Sequence, residues 1–346
     1  MSIAVSPQVR DPATKAAKCA PVPLRESLAS ATLAAVRASH AEAVSLLGDL
    51  YDRVAAARPF LRWAGGKSTF VTRLGPLLPD VAGRYFEPFL GSGAVFFYLQ
   101  ARHGRPLEAV LGDTNRPLIR AYLAIRNDPD LVAQELGKLA AAYEEAPDRA
   151  AFYYSMRTRY NSQLPSPDAA LFIFLNRTCW NGLYRVNRSG QFNVPFGRSR
   201  SEASYFPSEG MLISVSGALV RARLKSSSWE STIVGARRGD FVFLDPPYFS
   251  EVEKDDMKYR HRSFGLDSHE ALASRMRLLA DRDVSFVLTN SAEREMVELY
   301  SDHNLQADVV KMPRVISSKT GERRAVSELV VTPRGSELSK KLLYLT

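Results

Sequence analysis

Tyr85-Phe86-Glu87-Pro88-Phe89-Leu90-Gly91-Ser92-Gly93-Ala94-Val95 passes from a short aromatic stretch through a glycine-containing turn into a helix-forming run. That succession decides the fold. Strand, tight turn and helix in this order open a βαβ unit, and open α/β sheets receive ligands at the carboxyl ends of such strands. Gly91 and Gly93 remove side chains where a ligand would have to approach the backbone. Leu111-Gly112-Asp113 then sets a carboxylate about twenty residues further on, where such folds bind ribose hydroxyls. The glycine turn alone favours a purely structural turn; the spacing of Asp113 brings a cofactor site level with that reading.

Working outward, Ala109-Val110-Leu111, Phe241-Val242-Phe243-Leu244 and Val284-Ser285-Phe286-Val287-Leu288 are short, apolar and closed by polar or Gly/Pro turns, as buried strands are. Val309-Val310-Lys311 and Glu328-Leu329-Val330-Val331 predict a hairpin closing the sheet, with Ser317-Ser318-Lys319-Thr320-Gly321 between its arms. Residues 137–235 interrupt this pattern with helical stretches and then a turn-rich basic segment, 177–200, so an inserted lobe of separate purpose is expected. Residues 1–24 lack periodicity and read as a tail. Leu33, Val36, Ala43, Val44, Leu47, Leu50 and Val54 give 27–57 one or two amphipathic helices, which either cap the core or join two copies of the chain in a homodimer. The expected division is 1–57 as tail and helical extension, 58–136 with 235–346 as the α/β domain, and 137–234 as the insert.

The 346 residues suffice for one large domain or two unequal lobes. A formal net charge of +9 predicts attraction to a polyanion such as nucleic acid. Cys19 and Cys179 are the two cysteines, far apart and outside any CxxC or Cys/His cluster, so neither a disulfide framework nor a metal site is expected, and a reducing cytoplasm fits. No leader pattern and no apolar run of bilayer-spanning length is evident, so no membrane partner is expected.

Asp245-Pro246-Pro247-Tyr248 follows the apolar run 241–244 and therefore falls at a carboxyl strand end. An amino group conjugated to an aromatic ring is a poor nucleophile, because its lone pair is delocalised. Accepting hydrogen bonds from both its N–H groups draws the nitrogen towards tetrahedral geometry, and the Asp245 carboxylate and Pro246 carbonyl supply two acceptors. The prolines fix φ and stiffen the loop, while Tyr248 offers a ring on which an extruded base can stack. A tight turn after a buried strand would explain a lone Asp-Pro-Pro but not the whole tetrapeptide. Upstream, Arg62-Trp63-Ala64-Gly65-Gly66-Lys67 could embrace a cofactor carboxylate; a Walker phosphate loop fails there because position 61 is Leu.

RWAGGK, FEPFLGSG, LGDTN, FLNRTCWNGLYRVNRSGQFNVPFG, DPPY and PRVISSKTGERR follow one another between residues 58 and 333. In content and order these blocks resemble the Dam-type adenine DNA methyltransferases. The resemblance implies a Rossmann-like α/β domain that uses S-adenosylmethionine, with an inserted, mainly helical DNA-recognition lobe and a β-hairpin. It implies cofactor contacts from Trp63, Ala64, Gly65, Lys67, Glu87, Pro88, Phe89, Gly91, Ser92, Gly93, Asp113, Asn115 and Asp245, and chemistry at Asp245, Pro246, Pro247 and Tyr248. The partner is then double-stranded DNA, and the location the cytoplasm, at the nucleoid.

Within 177–200, Arg177, Arg185, Arg188, Arg198 and Arg200 interleave with Trp180, Tyr184, Phe192 and Phe196, a mixture suited to phosphate contact, guanine readout and filling the gap left by a flipped base. By resemblance, Arg185 matches the position that reads a guanine, Asn181 lies at the DNA surface, and Trp180 replaces an intercalating tyrosine; Leu183 and Asn187 complete the set. Arg314, Ser317, Ser318, Lys319, Arg323 and Arg324 match a loop that contacts the DNA backbone. GATC-recognising members commonly have tyrosine before NGL and Leu-Arg-Gly after the second Asn, whereas this chain has Trp180 and Arg188-Ser189-Gly190, so the recognised site stays open. RNA adenine methylation would use the same tetrapeptide. A non-catalytic DNA-binding protein on this scaffold predicts damage to FLGSG, Asp113 or DPPY, and all three are intact.

Overall fold

The computed structural model describes residues 57–165, 168–197, 206–249, 264–312 and 326–342. Leu50–Thr346 form one compact unit. The tail and the helices expected over 27–57 lie outside the described residues apart from the buried Ala57. Cys19, Arg198, Arg200 and the basic loop from Arg314 to Arg324 lie outside them too.

Strands β1 (Tyr85–Glu87), β2 (Ala109–Asp113), β3 (Ala222–Ser226), β4 (Phe241–Leu244), β5 (Ser285–Ser291), β6 (Gln306–Met312) and β7 (Val326–Thr332) form one sheet in the order β3-β2-β1-β4-β5-β7-β6. The first five are parallel to one another. The expected terminal hairpin is β6 and β7, with β7 lying antiparallel between β5 and β6. The chain runs outward from β1 to β3 and then returns to the other side of β1 as β4. Strand order therefore reverses between β1 and β4, and a crevice opens at their carboxyl ends.

Alternation along β4 explains why the sheet is buried on both faces. Phe241 and Phe243 pack into one core with Phe70, Phe96 and Leu111, while Val242 and Leu244 enter a second with Phe86, Leu272, Met276 and Leu288. A central parallel strand has no solvent side, hence its unbroken apolar run. Strand β3 carried no such run: Ala222-Arg223-Leu224-Lys225-Ser226 is an edge, buried only at Ala222. The interval 137–234 read as an insert thus also supplies a strand of the sheet.

Helices α1 (Ser68–Leu74), α2 (Ala94–His103), α3 (Arg116–Asn127), α4 (Pro129–Glu145), α5 (Arg149–Ser162) and α6 (Ala169–Thr178) follow in chain order around β1 and β2. Side chains of Asn115, Asp128, Asp148 and Asp168 accept from backbone N–H groups at the starts of α3 to α6, each cap contributing about 1 kcal/mol. Helix α6 is buried all round from Ala170 to Asn176 and anchors an aromatic cluster of Tyr143, Phe152, Phe174 and Phe206. Among the described residues no helix is long and apolar enough to cross a membrane.

Candidate active site

The crevice at the switch point is an open cavity of about 1870 Å³, lined from three strand ends and from the 63–67 loop. Past β1 the chain turns sharply, with Gly91 at φ 48° and Gly93 at φ 67°, conformations costly for any residue with a Cβ. Gly93 caps α2. A Cβ on Gly91 would lie 2.9 Å from Trp63 Cδ1. Trp63 in turn stacks on Tyr184, centroids 6.1 Å apart and planes 16° from parallel.

Asp113, at the end of β2, accepts from the backbone N–H of Gly91 (3.1 Å, Oδ2) and of Asn115 (2.8 Å, Oδ1). A carboxylate has about four acceptor positions, so each oxygen retains one for a ligand hydroxyl. Burial pushes Asp113 up, and those two N–H groups pull it back. Asn115 lines the cavity, but its side-chain oxygen also caps α3, accepting from Leu118 N at 3.1 Å.

Asp245 leaves β4 into the same space. Its Oδ1 lies 2.7 Å from Lys67 Nζ and accepts from Thr289 Oγ1 at 2.8 Å. Burial raises its pKa, and the Lys67 ammonium holds it down. Lys67 also donates to Tyr248 Oη (3.0 Å) and the Gly65 carbonyl (3.2 Å), and lies 3.6 Å from Glu328 Oε1 on β7. The Tyr248 hydroxyl donates to Glu328 Oε1. Pro246 is buried, whereas Pro247 and the Tyr248 ring are exposed towards the cavity. Below the loop, Asn290 accepts from Phe249 N at 3.1 Å and Ser291 donates to the Phe249 carbonyl at 2.8 Å, fixing where the tetrapeptide ends.

The basic segment folds into a short hairpin bridged at Val186 and Phe192. Helix α5 holds it: Asn161 pairs with both backbone groups of Phe192, while Tyr153 and Arg157 donate to the Val194 carbonyl. Trp180 and Asn181 are exposed, Asn181 at φ 53°. Arg185 and Arg188 are exposed as well; Arg185 donates to Asn193 Oδ1 (2.8 Å) and O (3.2 Å). Asn187 holds the hairpin tip, accepting from Ser189 N and Gln191 N and donating to Gln191 Oε1. Half-buried Arg177 is lowered to about 10 by burial and by neighbouring Arg62. Leu183 lines the cavity, linking the hairpin to the crevice.

Residues 63–313 match the model of the D12 class of N6 adenine-specific DNA methyltransferases. The chain belongs to this family. Similar proteins include the type II methyltransferase M.MjaIII of Methanocaldococcus jannaschii, 33% identical over 79% of this chain and 98% of its own length. The DNA adenine methylase of Escherichia coli K12 is 34% identical over 79% and 94%. The type II methyltransferase M1.LlaDCHI of Lactococcus lactis is 30% identical over 81% and 96%. The chain is thus an adenine-specific DNA methyltransferase, an enzyme that takes its methyl group from a donor cofactor and acts on DNA.

The D12 methyltransferase has site residues that its motifs did not announce. Thr289 and Glu328 come from β5 and β7, far along the chain from DPPY, and Ser228, Trp229 and Glu230 line the cavity just past β3. A signal for Thr289 existed: Thr289-Asn290 follows the apolar run Phe286-Val287-Leu288 in β5, and both side chains are fully buried. Glu328 carried none, since a charge near the start of a terminal strand is ordinary.

Glu87 yields a pH prediction. It is buried at the end of β1, accepts from Tyr85 Oη at 2.8 Å, and is pushed up to about 8, chiefly by burial and further by Asp245 and Asp113. Its folded value exceeds the ordinary 4.5, so the folded enzyme binds this proton more tightly than the unfolded chain does. The associated stability is complete below pH 4.5 and is lost as pH rises through about 8. Glu87→Gln is expected to flatten the fall of the cofactor-free melting temperature across that window; an unaltered slope in calorimetry would reject the assignment.

Proposed function

We propose that this methyltransferase uses S-adenosylmethionine to methylate the 6-amino group of an adenine extruded from a short recognition site in double-stranded DNA, in the cytoplasm at the nucleoid. The observation that carries the reading is the meeting, in one cavity, of the DPPY loop from β4 with the glycine turn from β1 and the Asp113 carboxylate from β2. The residues present fit the cofactor: Gly91 lets the turn pack directly on the Trp63 indole, where a Cβ would collide, Asp113 keeps acceptor positions for ribose, and Trp63, Ala64, Gly65, Pro88, Phe89 and Ser92 line the remaining wall. When bound, S-adenosylmethionine supplies an electrophilic methyl group on a sulfonium.

The protein's part is positioning and electrostatics. Asp245 and the Pro246 carbonyl accept from the target amine and stabilise the positive charge that develops on its nitrogen. Tyr248, 41% exposed, offers its ring face to the extruded base. Trp180, 52% exposed, is suited to occupy the gap left in the duplex, and Arg185, held in line by Asn193, to present a planar donor pair to a guanine edge.

Plasmid DNA from a methylation-free host expressing the chain, sequenced with modified-base detection, is expected to carry N6-methyladenine in one short motif. Unmodified plasmid from a host making folded, cofactor-binding protein would move the substrate to RNA, the alternative that shares the tetrapeptide.

A further inference from the structure

The charge of the carboxylate that faces the target amine is already shared with a cation. Asp245 Oδ1 takes a full ammonium at 2.7 Å and a hydroxyl at 2.8 Å, so the acceptor meant for the target amine is neutralised by Lys67. That pairing opposes the reaction in two ways. A carboxylate shared with an ammonium is a weaker acceptor, and a fixed cation repels a nitrogen gaining positive charge as it takes a methyl group. Lysine is a compact charge on a flexible stem, so it can change partners without moving backbone. The second partner is present: Glu328 Oε1 lies 3.6 Å from the same Nζ and holds the Tyr248 hydroxyl, which itself accepts from Lys67. Glu328 reaches in from β7, beside β5, which supplies Thr289.

We propose that Glu328 is a positioning residue for methyl transfer, receiving Lys67 from Asp245 when the target amine enters and fixing the Tyr248 ring through its hydroxyl. The inference rests on Asp245 being the acceptor for an adenine amine. Lys67 is then a placeholder that keeps the half-buried carboxylate paired between turnovers, and Glu328 is where it goes. No bond to the protein forms or breaks in this exchange.

The test uses the full chain bound to S-adenosylhomocysteine and two duplexes carrying the methylated motif, one with adenine and one with purine, which lacks the 6-amino group, at the target position. The ratio of the two Kd values reads the Asp245–amine contact without turnover, and single-turnover methylation of the adenine duplex is measured beside it. Glu328→Gln keeps the side chain's volume and an acceptor for Tyr248 but removes the charge that attracts Lys67. It is expected to lower the preference for adenine about ten-fold and the single-turnover rate about a hundred-fold, with cofactor affinity unchanged. Glu328→Asp should recover part of both. In a Lys67→Met background, Glu328→Gln should leave the preference for adenine unchanged, because no cation remains to be moved. A preference for adenine that Glu328→Gln does not alter, or alters equally in both backgrounds, would overturn the proposal. A parent enzyme that fails to methylate the adenine duplex would instead remove the reading on which it rests.

Discussion

Asp245→Ala is expected to lower methyl transfer by about a thousand-fold or more, since one preorganised group facing a developing charge is worth about 10²–10³ and this one also aligns the amine. The same change removes the 2.7 Å partner of Lys67, whose side chain is 9% exposed, leaving that ammonium to Glu328 and crowding Tyr248. Binding of DNA should survive, because Trp180, Arg185 and Arg188 are exposed on a hairpin held by α5 and not by the DPPY loop. Methyl incorporation and gel retardation on the same duplex separate the two. Turnover near that of the parent in Asp245→Ala would refute the acceptor mechanism outright.

Gly91→Ala should have the second largest effect, on cofactor binding. A Cβ there demands a left-handed backbone at φ 48°, about 1–2 kcal/mol for an L residue, and meets the Trp63 indole at 2.9 and 3.2 Å. The indole must shift, and its stack on Tyr184 goes with it. Titration calorimetry is expected to show affinity for S-adenosylmethionine down by at least about ten-fold, with a melting point lower by several degrees. Gly104→Ala is the control: φ is 71°, nothing lies within 4 Å of the new Cβ, and the position is remote from the cavity, so stability should fall while affinity holds. Equal cofactor affinity in the parent and Gly91→Ala would displace the ligand from that turn.

Much of this architecture was legible because it depends on local rules. Phe241-Val242-Phe243-Leu244 reads as a strand buried on both faces since every position must be apolar there, and its sequel DPPY then has to stand at a carboxyl end. The glycine turn and Asp113 are tied by spacing alone, and they meet through the Gly91 N–H. What escaped was non-local. Ala222–Ser226 is an edge strand whose charges face outward, so its pairing with β2 leaves no periodic mark. The position of β7 between β5 and β6 brings Glu328 to Lys67 and Tyr248, and nothing in Glu328-Leu329-Val330-Val331 distinguishes an inner strand from an outer arm. Asn187, read as a DNA contact, also holds the hairpin tip, a common use of asparagine at turns and a second role that the sequence reading did not include.

Asn176, buried in α6, accepts from Arg62 N at 2.9 Å and donates to Arg62 O at 2.7 Å and Gly182 O at 3.2 Å. Gly182 can stand so close because it has no side chain: a Cβ there would lie 2.3 Å from that of Arg62. The hairpin carrying Arg185 and the loop carrying Trp63 and Lys67 are therefore one splice unit. A recognition hairpin grafted from another enzyme should work only if the graft joins beyond Gly182 or brings its own 62–67 loop with it. On the function proposed above, residues 185–193 can be exchanged for another target while the joint beneath them is kept.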